Sequence, residues 1–207
     1  PLTDADAARV IAAVLEQAVL PAETQSVLLE QAGGNPLYAE QFARLYLEHG
    51  EVAGAGVPEN VQGIIAARLD GLPKDEKRLL QDAAVLGKVF WSGGVSGAEE
   101  ATLHALARKG FIRRERRSAV AGETEYAFRH VLVREVSYGQ IPRSARALKH
   151  VAAAEWVESL GRPEDHAGLI AHHYGAALEF ARAAGQPIDE LIDRARMAFR
   201  DAGDRAA

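Results

Sequence analysis

The chain has 207 residues, 48% of them hydrophobic and 26% charged, with a formal net charge of −5. That composition excludes a disordered or fibrous chain and leaves room for one large domain or two to three small ones. No cysteine is present, so a disulfide framework, a thiolate zinc site and cysteine catalysis are excluded, and a cytoplasmic location is the expectation that fits best.

The charge is unevenly spread. Three basic residues stand against ten acidic ones in 1–73, fifteen against nine in 74–150, and six against ten in 151–207. Sign asymmetry between segments argues for separate modules, with only the middle one suited to touching a polyanion. No uncharged apolar run approaches the roughly 20 residues of a spanning helix, so no membrane segment, signal peptide or membrane partner is expected. The chain opens at Pro1 and ends in a helical pattern at Ala207, which reads as a piece of a longer polypeptide.

Taken in order, Thr3 and Asp6 form a loose helix-starting box, and Val10, Ile11, Val14, Leu15 and Ala18 recur at helical spacing until Pro21. A second helix is predicted from Ala22 to Gln31, stopped by Gly33-Gly34-Asn35-Pro36, and a third from Leu37 to Gly50. Pro58 opens a fourth, with Val61, Ile64, Ile65 and Leu69 inside, ending at Gly71-Leu72-Pro73. Residues 1–73 therefore read as a compact helical subdomain.

The next block predicts helices over Lys74–Leu86 and Ala98–Lys109, then strands over Phe111–Arg117 and Thr124–Arg129 around a turn at Ser118–Gly122. Tyr126 and Phe128 share one face by period two. Helix, helix and hairpin is the order of a winged helix, and Val131–Gln140 adds a further helix, giving a winged-helix domain over 74–142. Residues 143–207 predict three helices. Leu148, Val151, Ala152, Trp156 and Leu160 line one face. Ala167, Ile170, Ala171, Tyr174, Leu178 and Ala181 line the next, and Ile188, Leu191, Ile192, Ala195, Ala198 and Phe199 the third. This resembles the start of a tetratricopeptide-like array, with Trp156, Leu160 and Gly161 spaced one residue longer than usual. The fold class expected is mainly α, with one small β-hairpin.

Catalytic signatures are absent from the sequence. The single Gly-Lys, Gly87-Lys88, is followed by Val89 and lacks the glycines that let backbone amides converge on phosphates, so no nucleoside-triphosphatase site is expected in these residues alone. Of the histidines at 49, 104, 130, 150, 166, 172 and 173, none forms an i, i+4 pair, so surface or packed side chains are expected rather than a metal site. The basic cluster Arg108, Lys109, Arg113, Arg114, Arg116 and Arg117 would suit DNA phosphates, yet Glu99 and Glu100 open the helix that would enter a groove. A solvated or protein-contacting basic face is therefore the first expectation and DNA binding the second.

Four segments carry a family resemblance: Ala32-Gly-Gly-Asn-Pro-Leu-Tyr38, Val57-Pro-Glu-Asn-Val-Gln-Gly-Ile-Ile-Ala-Ala-Arg-Leu-Asp-Gly-Leu-Pro73, Leu79-Leu-Gln-Asp-Ala-Ala-Val-Leu-Gly87 and Tyr126-Ala-Phe-Arg-His-Val-Leu-Val-Arg-Glu-Val-Ser-Tyr138. In this order they resemble the C-terminal half of the ATPase module of bacterial signal-transduction ATPases with numerous domains, as found in LuxR-type regulators and adenylate-cyclase-linked AAA-like ATPases. The resemblance implies a helical lid, a winged helix and a tetratricopeptide region. They would follow an upstream nucleotide-binding core that holds ATP or ADP with magnesium, and the helical array would bind protein partners. It also implies that Gly34, Asn35 and Pro36 approach the adenine and that His130 approaches the bound diphosphate. Relatives carry a longer helical insertion where this chain has only Trp91-Ser-Gly-Gly-Val-Ser-Gly97.

Overall fold

The computed structural model describes residues 1–16, 20–49, 60–161 and 163–206. The described residues form ten α-helices and one three-stranded antiparallel sheet, so the protein is mainly α. They divide into two compact units, Pro1–Pro73 and Lys74–Ala207.

The first unit holds α1 (Asp4–Leu15), α2 (Ala22–Ala32), α3 (Pro36–His49) and α4 (Val61–Asp70). Thr3 caps α1 by accepting from the Asp6 amide at 3.2 Å, and its hydroxyl donates to the Asp6 carboxylate at 2.7 Å. The helix stops at Leu15, shorter than predicted, because Glu16 takes a left-handed conformation with φ 54°; the expected continuation through Ala18 lies outside the described residues. Asn60 caps α4 by accepting from the Gly63 amide at 2.8 Å, and the Pro58 expected to open that helix likewise lies outside them. Ile11, Leu15, Leu28, Phe42, Leu45 and Ile64 interlock in one core.

Into that unit's interior α4 also sends Arg68, whose side chain is wholly buried. Its Nε and Nη2 donate to the Glu48 carboxylate at 3.0 and 2.6 Å, and Nη1 donates to Gln41 Oε1. A guanidinium keeps its charge at any accessible pH, so its burial requires this fork-to-carboxylate pairing.

The second unit runs α5 (Lys74–Leu86), β1 (Val89–Trp91), α6 (Glu100–Arg108), β2 (Ile112–Arg114), β3 (Glu125–Phe128), α7 (Val131–Gly139), α8 (Arg143–Ser159), α9 (Ala167–Ala183) and α10 (Asp189–Ala206). The strands lie in the order β1-β3-β2, with Phe90 opposite Tyr126 and Arg113 opposite Ala127. Both strands of the predicted hairpin are shorter than the sequence reading, and α6 starts at Glu100 rather than Ala98. The third strand, β1, was absent from that reading. Phe90 stacks on Tyr126 and packs against Phe128, with ring centroids 5.8 and 5.7 Å apart, so the shared face expected of Tyr126 and Phe128 is the face that seats β1.

Two of the three helix faces expected in 143–207 are corrected. On α8 the buried side is Ala147, His150, Ala153, Ala154 and Val157, while Leu148 is 70% exposed. Small side chains let α9 pack closely, and its own Ala171, Ala177 and Ala181 are buried as well, Ala171 in one cluster with Ala154 and Val157. Trp156, partly buried, packs against the core shared by α8, α9 and α10 and also reaches the short helical turn at Ser92–Gly94, stacking on Trp91 with centroids 5.7 Å apart and covering Gly94. A Cβ on Gly94 would lie 2.9 Å from the Trp156 ring. On α10, Ala195 and Ala198 are buried, but Phe199 is exposed across Gly175 of α9 rather than inside.

Candidate functional site

The Gly34-Asn35-Pro36 corner is built by two successive left-handed residues, Gly33 at φ 51° and Gly34 at φ 75°. Glycine accepts that conformation without the Cβ clash other residues meet. At Gly34 space also demands it: a Cβ would lie 2.7 Å from the Leu2 carbonyl oxygen and 2.8 Å from Pro1 Cβ, where the Leu2 amide donates to the Gly34 carbonyl at 2.8 Å. Asn35 Oδ1 accepts from the Leu37 and Tyr38 amides at 3.0 and 3.3 Å, capping α3. Pro36, the first residue of α3, is exposed. The corner thus presents a rigid apolar ring face beside a helix N-terminus, and it carries no charged group.

His130 stands at the N-cap of α7 in extended conformation, half-buried, and its side chain makes no capping hydrogen bond. Its backbone position is fixed from both sides. The Arg129 amide donates to the Phe111 carbonyl at 3.0 Å, and Arg134 Nε of α7 donates to the Ala84 carbonyl of α5 at 2.8 Å. His130 therefore stands at the N-terminal end of a helix, the end whose dipole favours anions. Gly34, Asn35 and Pro36 belong to the first unit and His130 to the second.

The basic cluster is partly neutralised. Lys109 pairs with Glu76 at 2.6 Å and Arg113 with Glu115 at 2.8 Å. A shallow cavity of about 380 Å³ between the hairpin strands is lined by Arg114, Arg116 and three glutamates. Of these, Glu125 accepts from Trp91 Nε1 and the Ala119 amide, and Glu123 from the Gly93 amide. The exposed side of α6 is Glu100, Ala101, His104 and Arg108. A helix with that face offers one cation to a nucleic-acid groove, at its far end.

The sequence reading missed one polar cluster. His150 of α8 and His173 of α9 are both buried, their Nδ1 atoms 3.0 Å apart, and the Tyr138 hydroxyl of α7 lies 2.8 Å from His150 Nε2. Burial pushes the His150 pKa down to about 3, helped by His173, His172, Arg134 and Arg146. Burial likewise takes His173 down to about 4, with His172 and Arg134 adding. Both rings are neutral at ordinary pH, so one Nδ1 donates and the other accepts. The tautomer in which His173 donates leaves its buried Nε2, which has no partner, as a lone pair rather than a stranded N–H. No sequence signal announces this pair, because the two residues lie 23 positions apart on different helices.

Among the described residues no group of three or more His, Asp or Glu side chains is arranged to hold a metal ion, and no helix is long and apolar enough to cross a membrane. No family model matches the chain, and no curated protein matches it.

Proposed function

We propose that this chain is the regulatory and interaction segment of a nucleotide-switched signalling ATPase. In that reading residues 1–73 are a helical lid, 74–142 a winged helix, and 143–207 the first tetratricopeptide-like helices. The nucleotide-binding core stands upstream in the same polypeptide, and the segment alone is not an enzyme.

The observation that carries this reading is the order within the second unit. A helix, a strand, a helix and two strands, with the sheet ordered β1-β3-β2, lead directly into a helix whose N-cap is His130. A helix followed by such a hairpin supports a winged helix, with only the short turn Ser92–Gly94 where relatives carry a longer helical insertion, and the resemblance in Tyr126–Tyr138 falls on the junction. The corner at Gly34 supports the lid assignment, since its rigidity suits an apolar edge such as adenine. ATP or ADP with magnesium, held by the core, supplies the anionic group. With nucleotide bound by such a core, His130 would donate to a phosphate oxygen in one state, and Pro36 would, as the resemblance implies, approach the base. A contact made in one state only biases a hinge between two states.

A hydrogen bond from imidazole to phosphate contributes about 1.5–3 kcal/mol, enough to move a two-state balance about tenfold or more. In the polypeptide joined to its core, His130→Ala is expected to change the ratio of ADP to ATP affinity by about that factor with little change in melting temperature. Equal affinities with a lowered melting temperature would reduce His130 to a structural role. The isolated 207-residue chain is expected to release no phosphate from magnesium-ATP.

A second reading, a DNA-binding winged helix attached to a protein-interaction array, is favoured by the exposed Arg114, Arg116 and Arg117. It predicts DNA affinity that falls steeply with salt and is lost on charge removal at Arg113 and Arg116. The Glu99–Glu100 start of α6 weighs against it.

A further inference from the structure

The last three helices line a groove, with α9 packed against both α8 and α10. Two cavities, of about 520 and 840 Å³, follow one another along it and share Glu155 and Arg194 at their junction. Its surface is apolar where it is deepest or widest. Ile170 and Ala198 lie at the base, Val151 and Leu191 on the walls, and Leu148 and Met197 at the rim are 70% and 60% exposed.

The polar lining has one sign in excess. Glu155, Glu158, Asp189, Glu190, Asp201 and Asp204 stand against Arg194 and Arg205. Arg194 also shows what the groove does with a cation. It reaches across from α10 to Glu155 of α8 at 2.6 Å, takes Glu190 at 3.2 Å, and lies over the Tyr174 ring at 5.9 Å. The Tyr174 hydroxyl beneath it donates to Glu158 at 3.0 Å and receives Arg194 Nη1 at 3.4 Å. Carboxylate plus aromatic face is a site for a guanidinium or ammonium group, here filled by the chain's own arginine. Beyond it, Glu158, Asp201 and Asp204 line the larger cavity beside Met197, offering the same chemistry to a cation from outside.

We propose that this groove docks a positively charged amphipathic helix from a protein partner. Apolar anchors of the partner would seat on Leu148, Leu191 and Met197, and its Lys or Arg residues would reach Glu158, Asp201 and Asp204. The proposal rests on the reading of residues 143–207 as an interaction surface and names the partner that surface fits. The lining runs from Asp189 to Arg205 on α10, about 25 Å of helix, and from Ala147 to Glu158 on α8, about 18 Å, and an apolar seam flanked by charge is the pattern of helix-in-groove recognition.

The test is fluorescence anisotropy of the 207-residue chain with a labelled amphipathic Lys/Leu peptide of about 16 residues, beside an isosteric Glu/Leu peptide and a labelled DNA duplex. The structure predicts saturable binding of the Lys/Leu peptide alone. Affinity should fall about tenfold or more in Asp201→Lys with Asp204→Lys, and similarly in Leu148→Glu. Glu99→Lys with Glu100→Lys, an equal charge change on α6, should leave it unchanged. All these positions are exposed, and unaltered tryptophan fluorescence verifies folding. Failure to bind, equal loss in the α6 variant, or preference for the Glu/Leu peptide or for DNA would each overturn the proposal. The nucleotide reading stands or falls separately, on His130→Ala.

Discussion

The two units bury polar side chains by opposite strategies. In Pro1–Pro73 the interior holds Arg68, a group that stays charged, and therefore must also hold its counter-charge, the Glu48 carboxylate, and Gln41. In Lys74–Ala207 the interior holds His150 and His173, which shed their protons on burial and then need only hydrogen-bond partners. The first arrangement makes a unit that depends on one partner being present, and the second makes a unit that depends on pH.

The largest expected effect breaks the first strategy. Glu48→Ala leaves a wholly buried guanidinium without its carboxylate, which costs about 3–5 kcal/mol. Arg68→Met removes the charge itself, returns the partly exposed Glu48 to water and strands Gln41, for about 1–3 kcal/mol. The ranking is the informative part: hydrogen exchange of the α3 and α4 amides should accelerate more in Glu48→Ala than in Arg68→Met. The reverse order would show that the packing of the arginine stem, not its charge, holds α4 in place.

The next effect sharpens the contrast through pH. For His150 and His173 the folded pKa values, about 3 and about 4, lie below the ordinary 6.5, so the unfolded chain binds more protons. Their contribution is complete above pH 6.5 and is lost as pH falls from there toward 4, with a slope approaching about 1.4 kcal/mol per pH unit for each histidine. Both tryptophans, Trp91 and Trp156, lie in the second unit, so urea titrations followed by tryptophan fluorescence report it selectively. Its midpoint should drop between pH 7 and 5, and His150→Phe with His173→Leu should flatten that dependence. An unchanged slope in the double variant would assign the acid sensitivity to other groups.

These two clusters also mark where sequence reasoning succeeds and where it stops. Local signals placed α5 at Lys74–Leu86 and located the Gly33–Pro36 corner, because helix period and left-handed glycines act over a few residues. They missed β1, three residues long, whose strand conformation is fixed by pairing with β3 about 36 positions later. They misassigned the faces of α8 because Leu148 is a strongly hydrophobic candidate there, whereas the contact with α9 selects small side chains at Ala147, Ala153 and Ala154. The groove follows from that correction, since the side of α8 expected to be buried is the side that carries Leu148 and Val151 into its wall. Of the four site residues read from sequence, the geometry gives Asn35 a definite structural task and leaves Pro36 exposed.

The smallest effect separates that structural task from any role in nucleotide sensing. Asn35→Ala removes the side-chain oxygen that accepts from the Leu37 and Tyr38 amides, and loss of such a cap costs about 1 kcal/mol. Asn35→Asp keeps an acceptor in place and adds a negative charge at a helix N-terminus, so it should match or exceed the wild-type stability. The first unit carries no tryptophan, so its unfolding is best followed by exchange of the α3 amides near Tyr38. If the corner acts only as a cap, nucleotide affinity in a polypeptide that carries the proposed core should follow stability, slightly lower for Ala and unchanged for Asp. If the corner faces the nucleotide, Asp should weaken ATP more than ADP through like-charge repulsion while leaving α3 intact. That split, a stable helix with altered nucleotide preference, is an outcome the capping role alone does not produce.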